Sequence, residues 1–227
     1  MSLRPRVLLS WSSGKDAAWA LHVLRQAGEV EVAGLLTTLN AAFDRVAMHA
    51  VRRTLLEAQA AAVSLPLLAV PLPWPCSNAE YEAATGRALA EARERWGVTH
   101  IAFGDLFLEE VRAYRERQLM GTGLTPLFPL WGLPTRALAQ EMIAGGLEAR
   151  LTCMDPKRLA PSFAGRAFDA ALLHDLPPDA DPSGEAGEFH TFAHAGPMFS
   201  RPIPITAGEV VTRDGFVFAD LQLPEEI

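Results

Sequence analysis

Val7-Leu8-Leu9-Ser10-Trp11-Ser12-Ser13-Gly14-Lys15-Asp16 runs directly into Ala17, Ala20, Leu21 and Leu24, and the reading of this stretch decides the fold. Val7 to Ser10 is a short apolar run that suits a buried strand, and the later apolar residues share one face of a helix. Between them lies a loop of small residues. The first amides of a helix have no internal partner and the macrodipole favours negative charge there, so a strand, a small-residue loop and a helix start form an anion site from backbone alone. Gly14 permits close approach, Ser10, Ser12 and Ser13 offer hydroxyls, and Lys15 supplies a cation. The spacing is not that of a P-loop, because Leu9 occupies its first glycine position and Asp16 stands where a metal-binding Ser or Thr is needed. The dinucleotide pattern of three spaced glycines is also absent.

The same alternation continues outward. Val30 to Thr37 reads as a strand, Val51, Leu55, Ala58 and Ala62 as a helix face, and Leu67 to Val70 as a strand. Ser77-Asn78-Ala79-Glu80 has the form of a capping box, opening a helix that Gly97 ends. Thr99 to Phe103 is a further strand, followed by a helix from Leu108 to Leu119 and a short strand at Leu124 to Leu127. A helix from Pro134 to Ile143 and a strand at Glu148 to Cys153 complete the series. Regular alternation predicts an α/β protein with a Rossmann-like, doubly wound, mostly parallel sheet. Ligands of such sheets bind beyond the carboxyl ends of the strands. Ser10 to Asp16 and Gly104-Asp105 are therefore expected on one edge.

After Pro156 the pattern changes. A helix near Gly165 to His174 leads into a turn-rich loop, and Val210-Val211 and Phe216 to Leu223 read as strands joined by an Asp214-Gly215 turn. The expected division is an α/β domain over 1–155 and a small C-terminal lobe over 156–227, packed against it.

The bulk composition excludes several classes. The chain has 227 residues, 49% of them apolar, which is enough for a sizeable core. A formal charge of −7 and the lack of a Lys/Arg run give no drive towards nucleic acid or an anionic membrane, so neither partner is expected. Two cysteines, Cys76 and Cys153, make neither a disulfide framework nor a zinc site. No run approaches the roughly 20 apolar residues of a membrane span, and the apolar run at the amino terminus is too short for a signal-peptide core. The cytoplasm is the expected location.

Ser12-Ser13-Gly14-Lys15-Asp16 resembles the S-G-G-K-D-S PP-loop of the ATP pyrophosphatase superfamily, with Ser13 at the second position and Ala17 at the last. Gly184-Glu185-Ala186-Gly187-Glu188-Phe189-His190-Thr191 resembles the G-E-x-G-E-[FY]-x-T segment of the diphthine–ammonia ligase family. Phe103-Gly104-Asp105 and Pro129-Leu130-Trp131 are similar to that family's F-G-D and P-L-W segments, in the same order. Ser183 stands where the family has a cysteine. Heavy use of Ala, Leu and Arg matches a GC-rich bacterial coding bias, so a bacterial branch is expected.

The resemblance implies an adenine nucleotide alpha hydrolase-like fold and an ATP-dependent amidation. A carboxylate-bearing acceptor attacks the α-phosphate, pyrophosphate leaves, and ammonia displaces AMP from the acyl-adenylate. The implied cofactors are ATP and Mg2+. Ser10, Ser12, Ser13, Gly14, Lys15, Asp16 and Gly104 would hold the nucleotide, Asp16 the metal, and Lys15, Asp105, Glu185 and Glu188 would carry the chemistry. Plainer readings stand beside these: a helix cap for Asp16, a turn for Asp105, a solvated acidic loop for Glu185 and Glu188, and packing for His190 and Trp11. Arg112, Arg115 and Arg117 read as a solvated helix face. The alternative from another class is a non-catalytic adenine-nucleotide-binding module.

Overall fold

The structure, a computed structural model, describes residues 4–224. Met1 to Leu3, which open the segment read against a signal peptide, and Glu225 to Ile227 lie outside the described residues.

The first strand, β1 (Arg6–Ser10), is buried on both faces and sits at the centre of a six-stranded sheet. It pairs in parallel with β2 (Glu31–Asn40) on one side and with β5 (His100–Ala102) on the other. Beyond β2 lies β4 (Leu67–Leu72), and beyond β5 lies β6 (Thr125–Leu127), both parallel. The short β3 (Arg45–Val46) runs antiparallel against the end of β2. Alternation along β1 separates two cores. Val7 and Leu9 pack with α1 (Lys15–Ala27), α2 (Arg53–Ala62) and α5 (Thr135–Ala144). Leu8 faces the opposite side, under α3 (Asn78–Trp96), whose Ala84, Ala88 and Ala92 line its inner face. Helices cover both faces, as a parallel sheet requires. Strand order moves from β1 out to β2 and β4, then returns across β1 to β5, so the topological switch lies between β1 and β5. That is where the ligand crevice of such sheets opens.

A second sheet is antiparallel, in the order β8 (Phe189–Ala195), β7 (Glu148–Met154), β10 (Phe216–Gln222), β9 (Thr206–Arg213). The strand expected at 148–153 forms as β7, but it pairs with β8 and β10 and has no place in the parallel sheet. The helix expected from Gly165 is shorter. It is α6 (Ala170–Asp175), because Asp169 takes the N-cap position and accepts from Leu172 N at 2.8 Å. α4 (Glu109–Leu119) follows β5 as expected, and the Ser77–Glu80 capping box is present. Buried side chains of the second sheet, including Leu151, Phe189, Phe192 and Val217, join the core under α1 and α2. No helix among the described residues is long and apolar enough to cross a membrane.

Candidate functional site

The loop after β1 and the loop after β5 meet at the switch point. A Cβ on Gly104 would lie 2.9 Å from the Asp16 carbonyl carbon and 3.0 Å from the Ala17 nitrogen, so only glycine lets the two backbones pass. Above them opens a cleft of about 760 Å³. Ser10, Ser12, Lys15, Asp16, Gly104, Asp105 and Glu185 all line it, which places seven of the expected site residues on one surface. Ser13 and Gly14 contribute no lining; they shape the wall behind it.

The loop is braced from far along the chain. Ser13 adopts φ 69°, the left-handed region that a glycine would occupy freely, and its Oγ is buried without a partner. Its carbonyl accepts from Gln59 Nε2 at 2.9 Å and from Ala193 N at 3.0 Å. Gln59 is fully buried and also donates to Ala193 O and accepts from Trp11 Nε1 at 2.8 Å. Trp11 is thereby a packed residue of the core, as its plainer reading had it. The N-cap of α1 is Gly14, which has no side chain to cap with; Lys15 N instead donates to Thr191 Oγ1 at 3.1 Å, from β8.

Lys15 is 2% exposed. Its ammonium donates to both carboxylate oxygens of Asp16, at 2.9 and 2.8 Å, and to Ser183 O, and it lies over the rings of Phe168 and Phe189. A buried cation is stable here because every direction offers negative charge or a π face. The Asp105 carboxyl is raised from its ordinary value, chiefly by burial, with Arg115 opposing and Asp16 adding to the rise. Burial also pushes Glu185 up to about 7, helped by Asp16 and Asp105 and opposed by Lys15 and by the Leu106 N–H that donates to its Oε2 at 3.2 Å. A carboxyl poised near neutrality inside a cleft is suited to proton transfer.

Glu188 is elsewhere. It is 1% exposed, its Oε1 accepts from Asp181 N at 3.0 Å, and Arg158 stands 3.7 Å away. It lines a separate small cavity with Lys157, Arg158, Asp179 and Ala180, so the Gly184–Gly187 turn divides its carboxyl from that of Glu185.

His190 lies in the cleft wall, its ring tilted against that of His49 with centroids 4.6 Å apart. Burial lowers His49 to about 4, and burial together with the proximity of His49 and then Lys15 lowers His190 to about 3. The Thr191 carbonyl lies 3.0 Å from His49 Nδ1. A carbonyl only accepts, so Nδ1 carries the proton and Nε2 is left as an acceptor. His49 had no signal in the sequence, being one polar residue in an irregular stretch. Gln59 had a weak one, as a polar residue inside an alanine-rich helix. Arg115 is a correction to the solvated-face reading: it lines the cleft, over the Phe103 ring and 3.6 Å from Asp105. Arg112 instead pairs with Glu116 at 2.9 Å and lies over Phe128 and Trp131.

A family model described as the diphthamide synthase N-terminal domain matches residues 5–126, more than half of the chain. The chain belongs to this family. The match spans the Ser10–Asp16 loop and the Phe103-Gly104-Asp105 strand end, and it stops before β7. Diphthine–ammonia ligase of Danio rerio is 30% identical over 139 residues, 58% of this chain and 53% of that protein. The Bos taurus protein of the same name is 29% identical over 132 residues, 56% of this chain and 49% of its own length. The chain thus spans about half the length of the curated relatives it matches.

Carboxylate oxygens suit Mg2+, which is commonly held by one or two carboxylates together with substrate phosphates. Asp16 and Asp105 face the cleft on adjacent loops and fit that pattern. No cluster of three or more metal-ligating side chains occurs among the described residues, so the protein alone offers no closed cage.

Proposed function

We propose that this protein is an ATP-dependent ligase that activates a carboxylate as an acyl-adenylate and amidates it with ammonia. The observation that carries the reading is the meeting of the loops after β1 and β5 at the sheet's switch point, with Glu185 closing over them. Membership of the diphthamide synthase family supports it, and the two relatives named for diphthine and ammonia suggest the chemistry. In this reading residues 5–147 hold the nucleotide, and the lobe that begins at β7 forms the acceptor side.

The triphosphate lies on the loop from Ser10 to Asp16, at the amino end of α1, whose dipole favours anions. Gly14 and Gly104 let the surrounding wall close in on the loop: a Cβ on either would meet His49 or the Asp16 backbone at under 3 Å. Lys15 neutralises charge on the departing pyrophosphate. Magnesium bound at Asp16, with Asp105 beside it, would add Lewis-acid polarisation of the phosphate oxygens. The acceptor carboxylate attacks the α-phosphorus, and pyrophosphate leaves with its electron pair. Glu185, ionised above about pH 7, takes the proton that ammonia sheds when it displaces AMP. Glu188 takes no part in this scheme, because its carboxyl lies outside the cleft.

The test is nucleotide binding followed by a pyrophosphate-release screen, with ammonium and carboxylate acceptors that include a diphthine peptide. Acceptor-dependent release of AMP and pyrophosphate supports the ligase. Binding with no release under any acceptor leaves a nucleotide-binding module, and turnover without acceptor leaves a simple hydrolase.

A further inference from the structure

One carboxylate in the second sheet ties down both ends of a segment that reaches into the cleft. Asp220, on β10, accepts from Arg45 Nη1 at 2.8 Å and from Arg52 Nη2 at 2.6 Å and Nε at 3.1 and 3.2 Å. Arg45 opens and Arg52 closes a strap of eight residues. Inside the strap, Val46 N donates to Val51 O at 2.8 Å, His49 N to Ala47 O at 2.8 Å, and Arg45 Nη1 to Ala50 O at 2.8 Å.

This strap is not a conformation its sequence favours. Met48 (φ 64°) and Ala50 (φ 55°) occupy the left-handed region, as does Asp44 (φ 50°) just before it, and none is glycine. Such residues persist only where the surroundings over-determine them. The surroundings here are Asp220, whose side chain is 17% exposed between the two guanidinium groups. Although burial alone would push the Asp220 carboxyl up, its hydrogen bonds to Arg52 and Arg45 and their charges hold it below the usual range.

What the tight turn achieves is the placement of His49. Its ring covers Gly14 so closely that a Cβ there would lie 2.8 Å from Cε1, it packs at a tilt against His190, and its Nδ1 donates to the Thr191 carbonyl. His49 is itself part of the cleft wall, beside the Ser10–Asp16 loop, and with Nδ1 protonated its Nε2 is an acceptor. An acceptor nitrogen there does not match a phosphate oxygen. It matches a hydroxyl donor such as that of the nucleotide's ribose.

We infer that His49 is a nucleotide-contact residue that accepts from a ribose hydroxyl, and that Asp220 is a positioning residue that sets it through Arg45 and Arg52. The inference rests on the reading that nucleotide occupies the Ser10–Asp16 loop. β10 then takes part in nucleotide binding from outside the cleft, through one ion-paired carboxylate.

Affinity for α,β-methylene-ATP and for its 2′,3′-dideoxy counterpart tests this on the full chain, for the wild type, His49→Ala, Asp220→Asn and the double variant. Each single change is expected to weaken binding of the ribose-bearing nucleotide about tenfold, the worth of one hydrogen bond whose loss leaves a donor unpaired. The double variant should be no weaker than either single, since both remove the same contact. The dideoxy nucleotide should bind all four proteins alike. Arg52→Lys keeps the charge but loses the two-pronged pairing, and it serves if Asp220→Asn fails to fold; its expected loss is in the same direction. Undiminished affinity in the folded Asp220→Asn or Arg52→Lys protein, additive losses in the double variant, or equal losses for the dideoxy nucleotide would each overturn the inference. Absence of any nucleotide binding by the wild type would overturn the proposed function, and this inference with it.

Discussion

Two regions of this molecule build the cleft by different means. The Ser10–Asp16 loop is local: a strand, a turn and a helix contiguous in sequence, with its geometry set by small residues. The Gly184–Thr191 segment is non-local, and its worth lies in what it reaches. Thr191 caps Lys15 N across 176 positions, Ser183 receives the Lys15 ammonium across 168, and Ala193, which follows on the same strand, grips Ser13. The Ser10–Asp16 loop is therefore not self-supporting. A left-handed Ser13 and a helix whose cap residue lacks a side chain would be poor local choices alone, and the second sheet offsets both.

Within that segment, Glu185 and Glu188 provide the sharpest contrast. Glu185→Gln is expected to lower acceptor-dependent pyrophosphate release by roughly 10²–10⁴-fold while sparing ATP affinity, the range for loss of a general base. The wild-type rate should rise with pH through about 7, where Glu185 ionises, and the variant should lose that rise. Glu188→Gln should keep turnover and show only a change in melting temperature. Equal losses of turnover in both variants would end the distinction between an acid in the cleft and one buried outside it.

Lys15→Ala tests the local region. Loss of a charged hydrogen-bond partner for phosphate should weaken ATP binding on the order of 100-fold, measured by calorimetry. Unchanged affinity would remove the phosphates from this loop. Thr191→Val tests the bracing from the other side. It keeps the shape but leaves the buried Lys15 amide without its partner, at a cost of about 1–3 kcal/mol in denaturant unfolding, and Thr191→Ser should recover most of it.

Acid stability depends on the two buried imidazoles. His49 and His190 stay neutral in the fold down to about pH 4 and 3, whereas unfolded histidines protonate near 6.5. Their contribution is complete above pH 6.5 and is lost as pH falls through that window. Glu185 acts oppositely: its folded value near 7 exceeds its ordinary 4.5, so the fold gains from protonation as pH drops between the two. Two displaced imidazoles outweigh one displaced carboxyl, so stability should decline below about pH 6.5 and more steeply below 4.5. Urea midpoints across that range measure it, and a flat profile would show that the histidine pair is not held neutral. The smallest effect belongs to Ser13→Gly. It relieves a left-handed side chain and an orphaned hydroxyl against the greater chain entropy of glycine, for a net gain of about 1 kcal/mol or less.

The parallel sheet, its helices and the edge that gathers Ser10–Asp16 with Gly104-Asp105 were legible in the sequence. Strand and helix periods and turn chemistry are carried by neighbouring residues. The capping box at Ser77 and the loop at Gly14 were read from four or five residues each. β8 carries a weaker local signal: Phe189-His190-Thr191-Phe192 has the residue types of a strand, but it follows directly on a turn rich in glycine and acid. β7 was recognised as a strand and given to the wrong sheet. Nothing local distinguishes a strand that adds to a parallel sheet from one that founds an antiparallel one.

By itself, then, the sequence determined that a small-residue loop joins the first strand to the first helix, and it offered Lys15, Asp16, Asp105, Glu185 and Glu188 as candidate groups. Only the tertiary structure decided that Glu185 faces the cleft while Glu188 is buried away from it, that Thr191 and Gln59 brace the loop, that Arg115 lines the cleft, and that Asp220 pins the strap carrying His49. The reason is physical. Side-chain facing follows from strand register and from which surfaces bury together, and these contacts join residues tens to more than a hundred positions apart.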